Sequence, residues 1–277
     1  MLQPVRTPDP SGAVPLTPAS AAIPVWAWAL WMLPIGVWLA LLPMIPTIDL
    51  FRLLNHMTSR APDEVWVIFN FLGNGWSLFA IVSPVLVFAP RVMLSGLCAG
   101  AVAGILSRSL KMILEMPRPA GVLDPASFHI IGKPLTSMAM PSGHTLTAFA
   151  IATAFFFSIA PGRRAKFAWL FVLAALAGIA RIGVGAHWPS DVMVGSAIGL
   201  FSGVAGASIA RRAPAQWLLP TSWLLWVLAA GALLCGYILA TSEIDFPLAR
   251  AFQPVGIAVV AITLILFARQ ALRARQR

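Results

Sequence analysis

The chain has 277 residues, 59% of them hydrophobic and 10% charged, with a formal net charge of +10. A soluble domain carries about 25% charged and about 45–50% apolar residues, so one soluble core cannot bury this excess, and the composition points to an all-α, polytopic membrane helix bundle. The positive balance does not imply nucleic acid as a partner, because the basic residues sit in short loops between apolar stretches, as the positive-inside rule expects.

Residues 1–22, with Pro4, Pro8, Pro10, Pro15 and Pro18, read as a disordered cytoplasmic lead-in. They lack the basic segment joined to a short apolar core that marks a signal peptide. A bilayer-spanning helix needs about 20 mainly apolar residues. Eight stretches qualify: Ile23–Ile45, Val65–Ala89 (interrupted at Gly73-Asn74-Gly75), Val92–Leu114, His144–Ala160, Phe167–Gly183, Val192–Ala210, Trp217–Ala240 and Val255–Ala268. The first six make a core over 23–210. The last two, with a basic cytoplasmic tail, make up 211–277. Gly73-Asn74-Gly75 reads equally as a bend in the second stretch toward a site or as a simple helix-entry turn. Cys98 and Cys235 each lie inside an apolar stretch and read as small hydrophobes rather than a disulfide.

Charge sets the orientation. Arg91, Arg163, Arg164, Lys166, Arg211, Arg212, Arg269, Arg273, Arg275 and Arg277 fall on one side, expected to be cytoplasmic together with both termini. Asp49, Asp63, Glu64, Asp124, Asp191, Glu243 and Asp245 fall on the other. The longest connection in the core, Glu115–Pro141, is on that outer side. It is rich in Pro and Gly yet carries Leu123, Phe128, Ile130, Ile131, Leu135, Met138 and Met140. It reads as a lid dipping into the outer leaflet or as a packed cap over helix ends.

Three outer segments hold polar residues that apolar spans rarely tolerate. They are Lys111 through Pro119, then Pro141-Ser142-Gly143-His144, then Arg181 through Asp191. Three cations, two imidazoles, a hydroxyl and a carboxylate thus gather at four helix ends. A guanidinium is a fixed fork of donors suited to phosphate oxygens. An imidazole becomes a nucleophile when another group holds its second nitrogen, and Asp191 stands four residues from His187. Ser142 and the Gly143 N–H sit at a helix start, where free N–H groups favour an anion. No His, Cys and carboxylate cluster has metal-ligand spacing. Arg108 reads as a snorkelling residue or a partner of Glu115. His56, Arg60, His129 and Lys133 read as loop polarity.

The pattern is Lys, six residues, Arg-Pro; then Pro-Ser-Gly-His; then Arg, five residues, His, three residues, Asp. It resembles the three-part signature of the type 2 phosphatidic acid phosphatase (PAP2) and vanadium haloperoxidase superfamily, on its membrane lipid phosphatase branch. The resemblance covers about Leu50–Ala210, and Ala180 stands where a Ser usually precedes the third-motif Arg. It implies a six-helix phosphatase core without a cofactor or metal. It also implies that His187 is the nucleophile forming a phosphohistidine, Asp191 its orienting carboxylate and His144 the general acid and base. Lys111, Arg118, Ser142, Gly143 and Arg181 are then the phosphate cradle. The expected partners are the bilayer and a lipid phosphate monoester or diphosphate, with the site on the outer face of a bacterial inner membrane. Lipid phosphotransfer from the same phosphohistidine is the enzymatic alternative. A transporter or scaffold is the non-catalytic one, and haloperoxidase chemistry is disfavoured by the eight spans.

Overall fold

The structure, a computed structural model, describes residues 22–276. Apart from Ala22, the expected disordered lead-in lies outside them. A short 3-10 turn at Val25–Ala29 leads into α1 (Met32–Leu41). Then come α2 (Thr47–Thr58), α3 (Asp63–Gly73), α4 (Gly75–Val82), α5 (Val85–Phe88), α6 (Pro90–Leu114), α7 (Gly143–Ser158), α8 (Trp169–Gly183), α9 (Pro189–Arg211), α10 (Trp223–Thr241) and α11 (Gln253–Arg275). Among the described residues the chain is all-helical, a membrane helix bundle. Helices α6, α9, α10 and α11 are long and apolar enough to cross a bilayer, as is α8 together with the 3-10 turn Pro161–Phe167 that leads into it. Helices α3 and α4 form a further candidate span, bent by 76°. Val25–Leu41 and α7 are shorter apolar helices. The eight apolar stretches are therefore all helical, but only five make single uninterrupted spans by length.

The bundle is built on α9, which packs against α6 and α7. Gly195, Gly199 and Gly203 are spaced four apart on one face of α9, and all three are buried. A Cβ on Gly199 would lie 2.6 Å from the Leu146 carbonyl oxygen of α7, so only glycine lets the two backbones approach this closely. Buried Ala99, Ala103, Ala150 and Ala154 continue the small-residue contact to α6. The result is a rigid trio whose α6 C-terminus and α7 and α9 N-termini meet at one end. At the opposite end, the Arg91 guanidinium caps α9 by donating to the Ala210 and Ala213 carbonyls, at 2.7 and 3.0 Å.

Three features depart from or decide the expectations. The stretch 47–58 was expected as outer loop but is helix α2. Its buried Phe51, Asn55 and Thr58 repeat at helical spacing beneath exposed Arg52 and His56. The 115–141 connection packs over the helix ends at a few anchors and leaves Val122, Leu135 and Met138 exposed. Ile131 and Ala139 are buried, Phe128 packs edge-on against Phe51, and the Asn55 side chain bonds both the N–H and the carbonyl of His129. Gly73-Asn74-Gly75 is both turn and bend: Asn74 caps α4 by accepting from Trp76 N–H, and its amide points toward the α10–α11 turn. That last pair forms a hairpin against α4, held in part by a Ser83–Thr263 hydroxyl bond of 3.0 Å.

Candidate active site

The third motif folds first from local chemistry. Gly183 ends α8, Gly185 takes a positive φ of 72°, and Pro189 opens α9 at a position where the missing N–H costs nothing. Asp191 stands in the first turn of α9, and its Oδ2 accepts from the Trp188 N–H at 2.9 Å. The same oxygen accepts from His187 Nδ1 at 3.2 Å. His187 is 1% exposed. Its ring is held on the other side by Arg118 Nη1, 3.3 Å from Nε2. A guanidinium only donates, so Nε2 carries the lone pair and Nδ1 carries the proton. That is the tautomer a nucleophile at Nε2 requires.

The first and second motifs lock onto the third. Trp188 packs edge-on against Phe51 and donates its indole N–H to the Pro117 carbonyl at 2.9 Å. Arg118 is buried, with Nε on the Ser137 carbonyl at 2.7 Å and Nη1 on the Ala186 carbonyl at 3.1 Å. Ser142 stands at the N-cap position of α7 and donates its N–H to the Asp191 carbonyl at 3.0 Å, while its hydroxyl accepts from the Thr145 hydroxyl at 2.9 Å. The space beside Gly143 is open. Lys111 Nζ, at the rim, donates to the Met138 carbonyl at 3.0 Å. Arg181 is buried, bonded through Nη1 to the Asn70 side-chain oxygen, and its Nε has no protein partner.

All eight site residues expected from the sequence thus lie around one end of the bundle. His187, Asp191, Arg118 and Ser142 form one directly bonded group. His144 and Arg181 join a second network through residues the sequence reading did not single out: His144 Nε2 bonds Asp245 Oδ2 at 2.8 Å, and Asn70 links Asp245 to Arg181. The sequence held one signal for these, a polar Asn70 inside an apolar stretch. His129 instead pairs with Asp63 at 2.9 Å. No Arg108–Glu115 ion pair forms among the described residues; Arg108 lines a groove beside Lys111.

His187, in the turn between α8 and α9, is pushed well below the usual imidazole range by burial, then by the charges of Arg181, Arg118 and Lys111 and by His144. It is therefore neutral at pH 7. Asp245, in the α10–α11 turn, is opposed by burial. His144, Arg181 and the Asn74 amide outweigh that and hold its carboxyl well below the usual range. Two spaces adjoin the site. One is a cavity of about 260 Å³ beside Arg181, reaching Lys133 and Glu243. The other is a groove of about 510 Å³ running from Lys111 and Gly143 down past Gly104, Gly100, Leu97 and Ile151.

Residues 91–215 match the family model of the PAP2 superfamily. The chain is 43% identical over 68 residues to a lipid A 1-phosphatase of Porphyromonas gingivalis, a match covering 24% of this chain and only 15% of that protein. It is 23% identical over 171 residues to an undecaprenyl-diphosphatase of Sulfolobus acidocaldarius, covering 60% of this chain and 80% of that one. The crystal structure of Aquifex aeolicus LpxE superposes with a TM-score of 0.51 at 33% identity, over 58% of this chain and 94% of that one. A transmembrane PAP2-type phosphatidylglycerolphosphate phosphatase of Bacillus subtilis shares the fold at 19% identity and a TM-score of 0.50, over 67% of this chain and 96% of that one. The chain is an integral membrane protein and belongs to the PAP2 superfamily.

Proposed function

We propose that the protein is a lipid phosphate phosphatase that works through a phosphohistidine at His187, without a metal. The observation that carries this reading is the state of His187: buried, neutral, fixed by Asp191 through Nδ1, with its Nε2 lone pair turned into a cluster of cations.

In the first step Nε2 of His187 attacks phosphorus in line with the lipid oxygen. Lys111, Arg118 and Arg181 take the equatorial oxygens, where charge spreads in the transition state. The unpartnered Nε–H of Arg181 is a donor ready for one of them. Ser142 and the Gly143 N–H, at the start of α7, add donors on the open side of that helix. His144 protonates the departing lipid oxygen. Water then attacks the phosphohistidine, giving its proton to His144, and inorganic phosphate leaves. Proton transfer of this kind contributes about 10²–10⁴-fold.

The groove between α4, α6 and α7 supports a lipid substrate. Its far part is lined by Leu78, Phe79, Leu97 and Ile151, and it ends among Arg108, Lys111 and Gly143, so a chain lying in it brings its phosphate to the cradle. The names of the relatives point the same way, to a lipid-linked phosphate monoester or diphosphate. With the basic loops cytoplasmic, the site faces the outer side of a bacterial inner membrane.

Purified protein in detergent, with chelator present, is expected to release phosphate from at least one lipid in a panel of lipid monophosphates and diphosphates. The His187→Ala variant is expected to release none. Equal release by the variant would remove the histidine mechanism. Release that requires an added divalent cation would remove metal independence.

A further inference from the structure

Helices α10 and α11 lie outside the residues that match the family model, yet the turn between them enters the site. Ile244 and Phe246, on either side of Asp245, are buried in a core cluster with Val67, Phe71, Ile131 and Val184. Phe246 lies against Gly132, where a Cβ would come within 2.6 Å of the ring. Gln253 closes the base of the turn by donating to the Leu239 and Ser242 carbonyls, at 2.9 and 2.6 Å. Between these anchors Asp245 takes a φ of 58°, a conformation that Asp tolerates but that surrounding contacts must hold.

The carboxylate held in this way is partly open to solvent, yet it is turned to three polar side chains of the site. Its Oδ2 accepts from His144 Nε2 at 2.8 Å, Asn74 Nδ2 at 2.9 Å and Asn70 Nδ2 at 3.1 Å. Two neutral amides thus orient the carboxylate, and the carboxylate orients the imidazole. The other charged residues of the turn, Glu243 and Arg250, pair with each other at 3.2 Å, and Asp245 alone is turned to the acid–base group. The charged groups that face His144 are Arg181 on α8, Arg118 after α6 and Asp245 itself.

We infer that Asp245 is a positioning residue for His144, so that the C-terminal hairpin supplies a second imidazole–carboxylate pair beside His187–Asp191. The inference rests on the phosphatase reading of the site. With Nε2 held by Asp245, Nδ1 is the nitrogen left for the chemistry. As the His187 Nε2–phosphorus bond forms and the phosphorus–lipid oxygen bond breaks, the Nδ1 proton passes to the lipid oxygen. In the second step a water oxygen bonds phosphorus, the phosphorus–nitrogen bond breaks, and the water's proton returns to Nδ1. Asp245 keeps the ring protonated before the first step and makes it a better base in the second.

The test is kcat/KM against pH for the full chain in detergent, on a lipid phosphate that the wild type hydrolyses. Asp245→Asn is expected to lower kcat/KM by roughly 10–100-fold. It is also expected to move the alkaline limb to lower pH, since the acid then loses its proton more readily. The thermal midpoint should stay near wild type, and Asp245→Glu should restore part of the rate. Should the amide variant not fold, Asp245→Ser removes the same charge. An unchanged rate and profile in the uncharged variant would overturn the inference while leaving the phosphatase reading intact. A faster variant would also overturn it, by making Asp245 an occupant of the phosphate position. A wild type inactive on every lipid would remove the phosphatase reading, and this inference with it.

Discussion

The site holds two imidazole–carboxylate pairs, and they are built in opposite ways. His187 and Asp191 are four residues apart, joined by one turn at the start of α9, and nearly sealed from solvent. His144 and Asp245 are 101 residues apart, come from different halves of the bundle, and are partly open. The first pair is made by local backbone geometry, with Pro189 and the Trp188 N–H fixing the carboxylate. The second exists only because a hairpin folds its turn into the site. A local pair can be read from spacing; a distant pair depends on packing that spacing does not encode.

Each pair can be broken separately. The largest effect belongs to His187→Ala, expected to cost at least ~10⁴-fold in kcat on a lipid phosphate, because no other group can take up the phosphoryl. Next is Asp191→Asn, which keeps the shape but turns an amide toward Nδ1. A loss of ~10³-fold in kcat is expected, with the folded state intact by thermal melting. Smaller is the loss for Lys111→Met. Lys111 sits at the rim on a single carbonyl contact, so removing one of three cations should raise KM by about 10-fold and lower kcat less.

The pH profile sharpens the same comparison. His187 must be neutral to attack, and burial with neighbouring cations lowers its proton affinity. A lowered value means that the proton is lost at a more acid pH. The acid limb of kcat/KM should therefore lie below the ordinary imidazole value of about 6.5. A limb at or above that value would mean that the cations do not act on His187. The smallest effect is structural: Gly199→Ala should lower the thermal midpoint with little change in KM, because its Cβ would press on the Leu146 carbonyl away from the site.

The same contrast explains what was legible. Apolar runs of span length gave the helical membrane fold, and the eight motif residues could be expected to gather at one end of the bundle, since each motif sits within one turn or one helix end. Helix α2 was missed because its buried Phe51, Asn55 and Thr58 alternate with charges and lack the length of a span. Asp245 was visible only as one acidic residue among several on the outer side. Nothing in Glu243-Ile244-Asp245-Phe246 marks a partner; that follows from Ile244 and Phe246 finding a core built by α3 and the 115–141 cap. The 76° bend at Asn74 likewise needs the tertiary fold, because either reading of Gly73-Asn74-Gly75 satisfies local chemistry.

The most direct test of the account is capture of the intermediate. The His144→Ala variant, slowed in dephosphorylation, would be mixed with a phosphorus-labelled lipid phosphate, quenched in base and digested for mass spectrometry. The account predicts label on the peptide holding His187, stable in base and lost in acid, and none when His187 is also replaced by Ala. Label on another residue, or turnover by an active enzyme with no phosphorylated species under any quench, would contradict it.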